Sequence, residues 1–395
     1  MKAGTVEGSG VRHSSDHPAR AGKRIVFLSS LHPPLDKRVF EKEAISLAEA
    51  GFEVVHVCPA EDWVGHRIVR GVKIITVERR GRSRLSQFLT LFRSARIVAS
   101  LRPDAIHCNE VDSWIVGAII AKLVGARCVF DAHEDYDAMV VERTPPALRL
   151  PMLGAYRLAK GIAASLTWRI VLAKESIRSE YRRFQHKTLT VANYGLLRVA
   201  DLPPKKSQDG VLDVVHLGVM GRLRGWRELL QALGQCRDLS MRVSIVGTFT
   251  DGSEDEFWQE VDRLELRAVV RVMGWLPYEE AYELLLRSDV GLVLFQPGPR
   301  NHVRALPHKM FDYMLAENAV IAPGFAPEVA TIIEWSDAGI LIDPSNPAEI
   351  ARALRTLADD GDLCRRLGRN GRKAVVERYN WGSEARKLVE LYSGL

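Results

Sequence analysis

The strongest chemical signal in the chain is a segment rich in glycine and arginine, VVHLGVMGRLRG, at residues 214–225. It follows a strand-like apolar run and precedes the helix-like WRELLQAL, so a helix should begin just after Gly225. Glycines such as Gly221 let the main chain approach an anion closely, and a helix N-terminus offers free N–H groups. Arg222 and Arg224 can add charge-assisted hydrogen bonds. These features predict a diphosphate site, and the alternative is a glycine-rich turn with solvated arginines.

A second candidate site lies at residues 306–322, LPHKMFDYMLAENAVIA, where a proline loop leads into a predicted helix and then a strand. The N–H groups at the start of such a helix can point at phosphate. Lys309 adds a positive charge, and the carboxylate of Asp312 can accept hydrogen bonds from the hydroxyls of a ribose or a sugar. Taken alone, a solvated surface is the simpler explanation of this pair.

A polar segment, DAHED, lies at residues 131–135 and contains His133 and Glu134. Its acids and histidine resemble a set of metal ligands. Five polar residues in one loop do not fix a ligand geometry, however, so we predict no metal here. For His133, a structural histidine with satisfied hydrogen bonds is the alternative to a functional one.

The segments that must position these residues alternate between strands and helices from residue 23 onward. Continuous apolar runs are typical of strands buried in a parallel sheet. The stretch 140–181 is predicted to be mostly helical, with breaks at its prolines, and a linker at 202–210 precedes a second alternating series that ends in helices. This pattern predicts an α/β protein with two doubly wound parallel sheets. The predicted strands are 24–29, 53–58, 72–77, 105–108, 128–131 and 188–192, then 211–217, 241–246, 269–272, 290–294 and 319–322.

The composition is that of a globular protein, since 47% of the 395 residues are hydrophobic and 26% are charged. The length predicts two domains, or at most three. Residues 1–21 are polar and rich in Gly, Ser and His, which predicts a disordered tail rather than a signal peptide. No stretch reaches the ~18 apolar residues of a membrane span. The cysteines lack a CxxC spacing and are predicted to be reduced core residues: Cys58, Cys108, Cys128, Cys236 and Cys364.

The net charge of +6 is unevenly distributed. Residues 67–102 contain ten Lys or Arg and one acid, and residues 142–187 contain ten and three. In particular, residues 82–102 predict a helix with an apolar stripe opposite its arginines. Segments 82–102 and 142–187 are therefore candidate contacts for an anionic membrane surface. The alternatives are a solvated basic face and a helix that packs on the sheet. Nucleic acid is disfavoured as a partner, because the basic runs lack interleaved aromatic residues.

Five blocks of the sequence together resemble the glycosyltransferase family 4 type, that is, retaining group 1 glycosyltransferases of the GT-B fold. The resemblance covers most of the chain and implies two Rossmann-like domains that face an interdomain cleft. It implies an acceptor-binding domain at 22–201, joined by a C-terminal helix at 381–395, and a nucleotide-sugar-binding domain at 210–380. The blocks are HPPLDKRVFEKEAISLAEAGFEV (32–54), VFDAHEDY (129–136), GRLRGWRELLQAL (221–233), GWLPYEEAYELLLRSDVGLVLF (274–295) and LPHKMFDYMLAENAVIA (306–322).

The resemblance assigns the donor to the second domain. Arg222 and Arg224 match the basic pair that holds the donor diphosphate, with Arg224 in place of the usual lysine. Asp312 matches the second acid of the family's Glu-x7-Glu motif, which usually binds the nucleotide ribose. Arg304 stands where the first Glu, which contacts the transferred sugar, would be. The other implied donor-binding residues are Gly221, Gly225, Gly274, Trp275, Ala305, Leu306 and Lys309.

For the first domain, the resemblance implies that His133 is the cleft histidine that touches the sugar. The loop at 29–38 occupies the place of the family's glycine-rich acceptor loop but carries different side chains. The implied acceptor-binding residues are His32, Asp36, Arg38 and Glu134, and the implied catalytic residues are His133, Arg222 and Arg224.

The implied function is transfer of a hexose-type sugar from a nucleotide-sugar donor to an acceptor hydroxyl, with retention and with neither a metal nor another cofactor. The acceptor would be a glycan, a lipid-linked molecule or a small molecule, in polysaccharide, glycolipid or other glycoconjugate biosynthesis. The expected location is the cytoplasm or the inner face of the membrane. Two alternatives stay open: a nucleotide-sugar epimerase of the GT-B fold, and a non-catalytic lipid- or anion-binding protein, which Arg304 would favour.

Overall fold

The computed structural model describes residues 22–60, 64–79, 81, 83–197 and 210–395. The predicted tail and all but the last residue of the predicted linker lie outside the described residues. The described chain forms two open sheets, each with a hydrophobic core on both faces. The predicted α/β architecture with two sheets is therefore confirmed.

The first sheet contains β1 (Arg24–Leu28), β2 (Glu53–Ala60), β3 (Gly65–Val69), β4 (Val72–Glu78), β5 (Ala105–Cys108), β6 (Arg127–Ala132), β7 (Arg169–Leu172) and β8 (Thr188–Thr190). Its strand order is β3-β4-β2-β1-β5-β6-β7-β8. Its helices are α1 (Ile45–Glu49), α2 (Arg84–Ser100), α3 (Val111–Val124), α4 (Tyr136–Arg143) and α5 (Arg149–Leu166). A π-helical segment, Val39–Ala44, precedes α1, and 3-10 segments cover Pro146–Leu148 and Glu175–Lys187.

The second sheet contains β9 (Leu212–Leu217), β10 (Met241–Val246), β11 (Val270–Gly274), β12 (Val290–Leu292), β13 (Ala319–Pro323) and β14 (Gly339–Ile342). Its order is β11-β10-β9-β12-β13-β14, and all neighbours are parallel. A 3-10 turn, Arg222–Arg224, precedes the first of its helices. The helices are α6 (Trp226–Gly234), α7 (Glu254–Arg263), α8 (Tyr278–Arg287), α9 (Arg300–Val303), α10 (His308–Leu315), α11 (Pro327–Ser336), α12 (Pro347–Asp359), α13 (Gly361–Glu377) and α14 (Trp381–Ser393).

The strand order of each sheet reverses at one strand. β1 lies between β2 and β5, and β9 lies between β10 and β12. The crevice beyond the carboxyl end of such a strand is the usual ligand site of an open α/β sheet. The loops after Leu28 and Leu217 are therefore the places where this fold is best suited to hold a ligand.

The last helix, α14, follows the second sheet in sequence but packs on the first. Trp381, Leu388 and Tyr392 are buried in the same cluster as Ile25 of β1. The Tyr392 hydroxyl also lies 2.6 Å from Nδ1 of His107, on β5. The chain thus returns to its first sheet at its end.

Several sequence predictions about single elements are wrong. Residues Arg169–Leu172, inside the stretch predicted to be mostly helical, form a strand between β6 and β8, because a short apolar run is equally compatible with a buried strand. The strand Gly65–Val69 was not predicted. It pairs antiparallel with β4 at the sheet edge, so the first sheet is not purely parallel. The strand Gly339–Ile342 was not predicted and lies in the region where helices were expected to dominate.

Two expectations about the chain as a whole can be compared with the described residues. All five cysteines are buried and carry free thiols, as predicted. Within the described ranges, no helix is both long enough and apolar enough to cross a membrane.

Candidate active site

A cleft of about 600 Å³ lies between the loops at the carboxyl ends of the two sheets. Loops that follow β1, β6 and β7 form one wall, and the glycine-rich turn with the segment around α9 and α10 forms the other. The loops that follow β1 and β9, the strands at which the order of each sheet reverses, thus both contribute to one cavity. The walls include His32, Asp36, Lys37, His133, Glu134 and Lys174 from the first domain, and Arg224, Phe295, His302, Ala305, Leu306 and His308 from the second.

The glycine-rich turn brings one arginine to the cleft. Gly225 has a φ of 78°, and a Cβ there would lie 2.6 Å from the Leu294 carbonyl oxygen, so the turn requires glycine. Arg224 is half-buried with its guanidinium 4.4 Å from the centre of the Phe295 ring, and burial lowers its pKa. Among the described residues no carboxylate forms an ion pair with Arg224. Its charge is therefore available to an anion in the cleft.

The neighbouring Arg222 points away from the cleft, so the two arginines of the turn have different surroundings. Its guanidinium forms ion pairs with Glu256 on α7 and, at 3.6 Å, with Asp251. Its main-chain N–H also donates to Asp251, at 2.8 Å. Arg222 does not line the cleft. In this structure its charge is balanced by acids of its own domain.

Lys309, in the first turn of α10, has its Nζ 5.8 Å from the centre of the Phe295 ring and is not part of the cleft lining. Its Nζ is 3.1 Å from Nε2 of His216, and burial, with a smaller contribution from Arg224, lowers the pKa of Lys309 to about 7. Burial and the neighbouring lysine also hold the pKa of His216 well below its usual value, so the imidazole beside the lysine is neutral. Near neutral pH, the lysine is thus partly deprotonated unless an anion is present.

Asp312, on the same helix, is buried and already has partners. Its carboxylate is 3.1 Å from Nζ of Lys37 and accepts a hydrogen bond from the Tyr278 hydroxyl at 3.1 Å. Lys37 belongs to the first domain, so this ion pair crosses between the domains. A ribose would have to compete with or displace the lysine to reach the carboxylate.

His133 is held by a buried carboxylate. Its Nε2 hydrogen-bonds Asp131, which is fully buried at the end of β6. Arg38 donates to both Asp131 oxygens, at 2.7 and 2.8 Å, and pairs with Glu43 at 2.9 Å. Burial would raise the pKa of Asp131, but Arg38 and His133 keep it well below its usual range. The imidazole is therefore fixed in orientation in the wall of the cleft.

The same contacts correct the predicted role of Arg38. The residue borders the cleft, but its side chain is buried and donates to Asp131, Glu43 and the Val191 carbonyl oxygen. A guanidinium that is satisfied in this way is not free to bind an acceptor. Instead, its side chain holds Asp131 in place, and Asp131 in turn holds His133.

His32 has a carboxylate partner of its own. Glu110, at the start of α3, accepts from its Nδ1 at 2.7 Å and from the main-chain N–H groups of Ser30, Leu31 and His32. Against the effect of burial, these bonds lower the pKa of Glu110 to about 2 and raise that of His32 above its ordinary value. The His32 and His133 rings lie 5.3 Å apart. Two imidazoles, each held by a carboxylate, thus stand together in the first-domain wall.

Two other predicted acceptor residues also line the cleft. Glu134 is 3.2 Å from Nζ of Lys174, which follows β7. Asp36 accepts from the main-chain N–H groups of Arg38 and Val39, so its carboxylate stabilises the start of the π-helical segment. Asp36 therefore has a structural task in addition to any contact with a ligand.

Arg304, at the position where a Glu would be expected, turns away from the donor side. Its guanidinium bonds Asp135 at 2.8 Å and Glu180 at 2.7 Å, both in the first domain. Arg300 pairs with the same two acids, and the Asn301 side chain accepts from the Asp135 main-chain N–H. Arg304 thus forms an ion-pair contact between the two domains.

Gly274 and Trp275 lie outside the cleft lining. The Gly274 carbonyl accepts from the Gly247 N–H at 2.7 Å, and the Trp275 side chain is 75% exposed. An exposed indole can still stack on a base, but the structure does not place it against the other predicted residues.

One group of described residues has ligand atoms close enough together for a metal ion: Glu43, His107 and Asp131. It shares only Asp131 with the DAHED segment. Arg38 pairs with two of its three members, so a cationic group already stands against the site.

The match to protein families covers both halves of the chain. Residues 37–185 match the "Glycosyl transferase 4-like domain", and residues 199–374 match "Glycosyl transferases group 1". The chain belongs to the group 1 glycosyltransferases. The resemblance stated from the five sequence blocks is thereby confirmed.

The curated relatives of this glycosyltransferase are distant. It is 26% identical over 193 residues to a D-inositol 3-phosphate glycosyltransferase of Corynebacterium kroppenstedtii, a match that covers 45% of this chain and 40% of that protein. It is 21% identical over 194 residues to an uncharacterized glycosyltransferase of Methanocaldococcus jannaschii, at 48% of both chains. The chain thus spans less than half the length of these relatives.

Solved structures match nearly the whole glycosyltransferase. Anabaena HepE, crystallised in complex with UDP, superposes with a TM-score of 0.70 at 16% identity, over 94% of this chain and 100% of that one. The sucrose-phosphate synthase of Thermosynechococcus elongatus superposes with a TM-score of 0.72 at 17% identity, over 94% and 99%. At such low identity the likeness shows the fold, and the predicted GT-B fold is confirmed.

The structure gathers many, but not all, of the predicted site residues of this glycosyltransferase. Gly221 and Gly225 flank the 3-10 turn, and Asp312 pairs with the cleft residue Lys37, but Lys309, Arg222, Gly274 and Trp275 are not part of the cleft lining. The predicted residues that line the cleft are His32, Asp36, Arg38, His133, Glu134, Arg224, Ala305 and Leu306.

Some cleft residues of the glycosyltransferase were not predicted from the sequence. Lys37 could have been predicted as a cleft residue, because it lies between the predicted Asp36 and Arg38. Lys174 follows the strand that was taken for a helix, so its position at a carboxyl edge stayed hidden. His302 and His308 lie beside the motif residues of the second domain and show no pattern of their own.

Proposed function

We propose that the chain transfers a hexose-type sugar from a nucleoside diphosphate sugar to an acceptor hydroxyl, with retention. The observation that carries this proposal is Arg224, a half-buried cation without an acidic partner among the described residues, in a glycine turn at the start of α6. Lys309, whose Nζ lies 5.8 Å from the ring centre of the cleft residue Phe295, adds a second cation nearby, and His308 at the start of α10 lines the same cleft. HepE structures are described with UDP, with UDP and glucose, and with UDP-glucose, which supports a donor of this class.

The proposed mechanism follows from where charge develops. As the bond between the sugar carbon and the phosphate oxygen breaks, the diphosphate gains negative charge, which Arg224 and Lys309 are placed to stabilise. The acceptor oxygen forms its bond to the same face of the sugar carbon, and its proton passes to the departing phosphate oxygen. His133, fixed by Asp131, would contact the sugar from the first-domain wall. The cations in this proposal are side chains, and no metal or other cofactor is assigned.

The acceptor would approach from the first domain, past His32, Asp36 and Glu134. A glycan, a lipid-linked molecule and a small molecule all offer the required hydroxyl, and the product would belong to polysaccharide, glycolipid or other glycoconjugate biosynthesis. We infer that the chain acts in the cytoplasm or at the inner face of the membrane.

A nucleotide-sugar screen tests this function. UDP-, GDP- and ADP-sugars are each incubated with the purified chain, and released nucleotide and sugar products are separated and identified. We expect release of nucleotide from one class of donor, by transfer or slow hydrolysis, and an unchanged anomeric configuration by NMR. An epimerase would instead yield a sugar of altered configuration, and a non-catalytic protein would bind without turnover. Either result would contradict the proposal.

The affinity for UDP-glucose is expected to fall as pH rises through about 7. The pKa of Lys309 is lowered to about 7, so the cation that can bind diphosphate is present below that pH and lost above it. If binding requires the protonated lysine, Kd should rise about tenfold between about pH 6 and pH 8. Isothermal titration calorimetry across this range measures the change.

The variant Lys309→Met provides the control for this pH dependence. It should bind more weakly but with a much flatter pH profile. The cleft histidines remain in the variant, so an equally steep profile there would assign the pH dependence to another group.

A further inference from the structure

Two arginines beside the short helix α9 of the second domain reach two acids of the first domain. Arg304, directly after α9, has a guanidinium nitrogen 2.8 Å from the Asp135 carboxylate and 2.7 Å from the Glu180 carboxylate. Arg300, at the start of α9, lies 3.0 and 3.1 Å from the same two carboxylates. The Asp135 side chain is fully buried, and those of Glu180 and Arg304 are 13% and 20% exposed. These four residues are here named the α9 cluster.

Two main-chain contacts accompany these ion pairs. The Asn301 side chain accepts a hydrogen bond from the main-chain N–H of Asp135 at 2.9 Å. The Ser176 hydroxyl donates to the main-chain carbonyl oxygen of Arg304 at 3.2 Å and to the carboxylate of Glu328, on α11, at 2.8 Å. Because main-chain groups of both domains take part, these contacts fix the loops themselves and not only the ends of long side chains.

The loops joined by the α9 cluster belong to opposite walls of the cleft. Asp135 directly follows His133 and Glu134, which line the first-domain wall. Arg304 directly precedes Ala305, which lines the second-domain wall. A shift of Arg304 relative to Asp135 would therefore change the distance between the imidazole of one wall and the donor side of the other.

The α9 cluster can also stay in place when the cleft is occupied, because its four members are not part of the cleft lining. The ion pair between Lys37 and Asp312, which also joins the domains, is less suited to this task. Its carboxylate is the one that the family resemblance assigns to the nucleotide ribose, so a bound donor would compete with the lysine. The α9 cluster is therefore the better candidate for holding the walls together during a reaction.

We propose that Arg304 is a positioning residue, which holds the His133 loop at a fixed distance from the donor side of the cleft through its ion pairs with Asp135 and Glu180. The joining of the two loops stands on the contacts themselves. The consequence for turnover rests on the proposed glycosyl transfer.

The variant Arg304→Met tests the effect on turnover, since it removes the charge but keeps a long side chain. We expect kcat at saturating donor to fall about tenfold or more, because a small misplacement of groups near the reacting atoms is costly. The Kd for UDP-glucose should change less than about twofold, since Arg224 and Lys309 stay in place in the second domain. Arg304→Lys, which keeps a charge for the two acids, should have an intermediate kcat.

Arg242→Met is the matched control. Arg242, on β10, donates to both carboxylate oxygens of Asp213, on β9, at 2.8 and 2.7 Å, so this ion pair lies within the second domain. Both residues lie near the amino ends of their strands, on the edge of the sheet opposite to the cleft. The control variant should keep the kcat of the wild type. Circular dichroism and thermal unfolding check that both variants are folded.

Single-molecule FRET measures the arrangement of the domains without any reaction. Dyes are attached through the substitutions Ile68→Cys, at a 77%-exposed position on β3, and Asp362→Cys, at a 94%-exposed side chain on α13. All five native cysteines are buried, which directs the dyes to the introduced thiols. We expect one narrow distance distribution in the wild type and in Arg242→Met, and a broader or shifted one in Arg304→Met.

Three results would overturn the proposal. One is an unchanged kcat or an unchanged distance distribution in Arg304→Met. Another is an equal loss of kcat in Arg304→Met and Arg242→Met, which would reveal an effect on stability alone. The third is a loss of affinity for UDP-glucose in Arg304→Met with kcat retained, which would make Arg304 a ligand of the donor. Absence of turnover in the wild type would instead reject the proposed transfer, and the distance distributions would then decide whether Arg304 holds the two walls.

Discussion

Replacing Arg224 with alanine is expected to lower kcat/KM for the sugar donor by about 10²- to 10³-fold, the usual cost of losing one preorganised contact to developing negative charge. The guanidinium lies against Phe295 at the cleft and has no acidic partner among the described residues. Its positive charge is therefore available to the donor diphosphate. Steady-state kinetics with the donor found in the nucleotide-sugar screen measure the loss. The unfolding temperature should change little, since no ion pair is broken.

Arg222→Ala is the matched control in the same turn. Its guanidinium pairs with Glu256 and Asp251, away from the cleft lining, and its removal should cost at most about tenfold. A loss in Arg222→Ala equal to that in Arg224→Ala would show that the first arginine leaves its acids when donor binds. A near-wild-type rate in Arg224→Ala at limiting donor would contradict the diphosphate site.

The second large effect is expected at His133. Its replacement by alanine should lower kcat about 100-fold, because a misplaced or missing positioning group near the reacting atoms costs on that order. Asp131→Asn should lower kcat about tenfold or more, since an amide holds the imidazole less firmly and can bond its other tautomer. If Asp131 acts through His133, the double variant should be hardly worse than His133→Ala alone, and steady-state kinetics of the four proteins complete the cycle.

The variant Glu43→Gln distinguishes an effect on the position of His133 from an effect on the stability of the fold. It removes the other carboxylate that pairs with Arg38 but leaves the bond between His133 and Asp131 in place. Both Glu43→Gln and Asp131→Asn leave a buried arginine short of a partner, so both should lower the free energy of unfolding by about 3 kcal/mol. Only Asp131→Asn should change kcat. An equal loss of kcat in both would show a structural role alone.

Much of this site could be found from local sequence. The turn at 221–225 was predicted because glycine freedom, a helix start and two arginines are written in consecutive residues. His133 and Glu134 follow a strand-like run directly, but the roles expected for them came from the family resemblance. Backbone preference and strand ends are local properties, so spacing along the chain is enough to reveal them.

The parts that were wrong or missed depend on context. The run Arg169–Leu172 is four residues long and apolar, so nothing local distinguishes a buried strand from a helix turn. The sheet decides it, because β6 and β8 offer hydrogen bonds on both sides. With the strand unrecognised, Lys174 at its carboxyl end could not be placed in the cleft.

The sequence by itself thus determined two α/β sheets, the family, and several of the loops that line the cleft. The tertiary structure decided which groups each charged side chain contacts. Arg222 and Arg224 are two residues apart, yet one pairs with its own domain's acids and the other faces the cleft. Arg304 meets Asp135 from 169 residues away, and Lys37 meets Asp312 from 275 residues away. Secondary structure follows from local backbone preference, whereas the partner of a charge or an apolar side depends on which distant residues the packed sheets bring within a few ångströms.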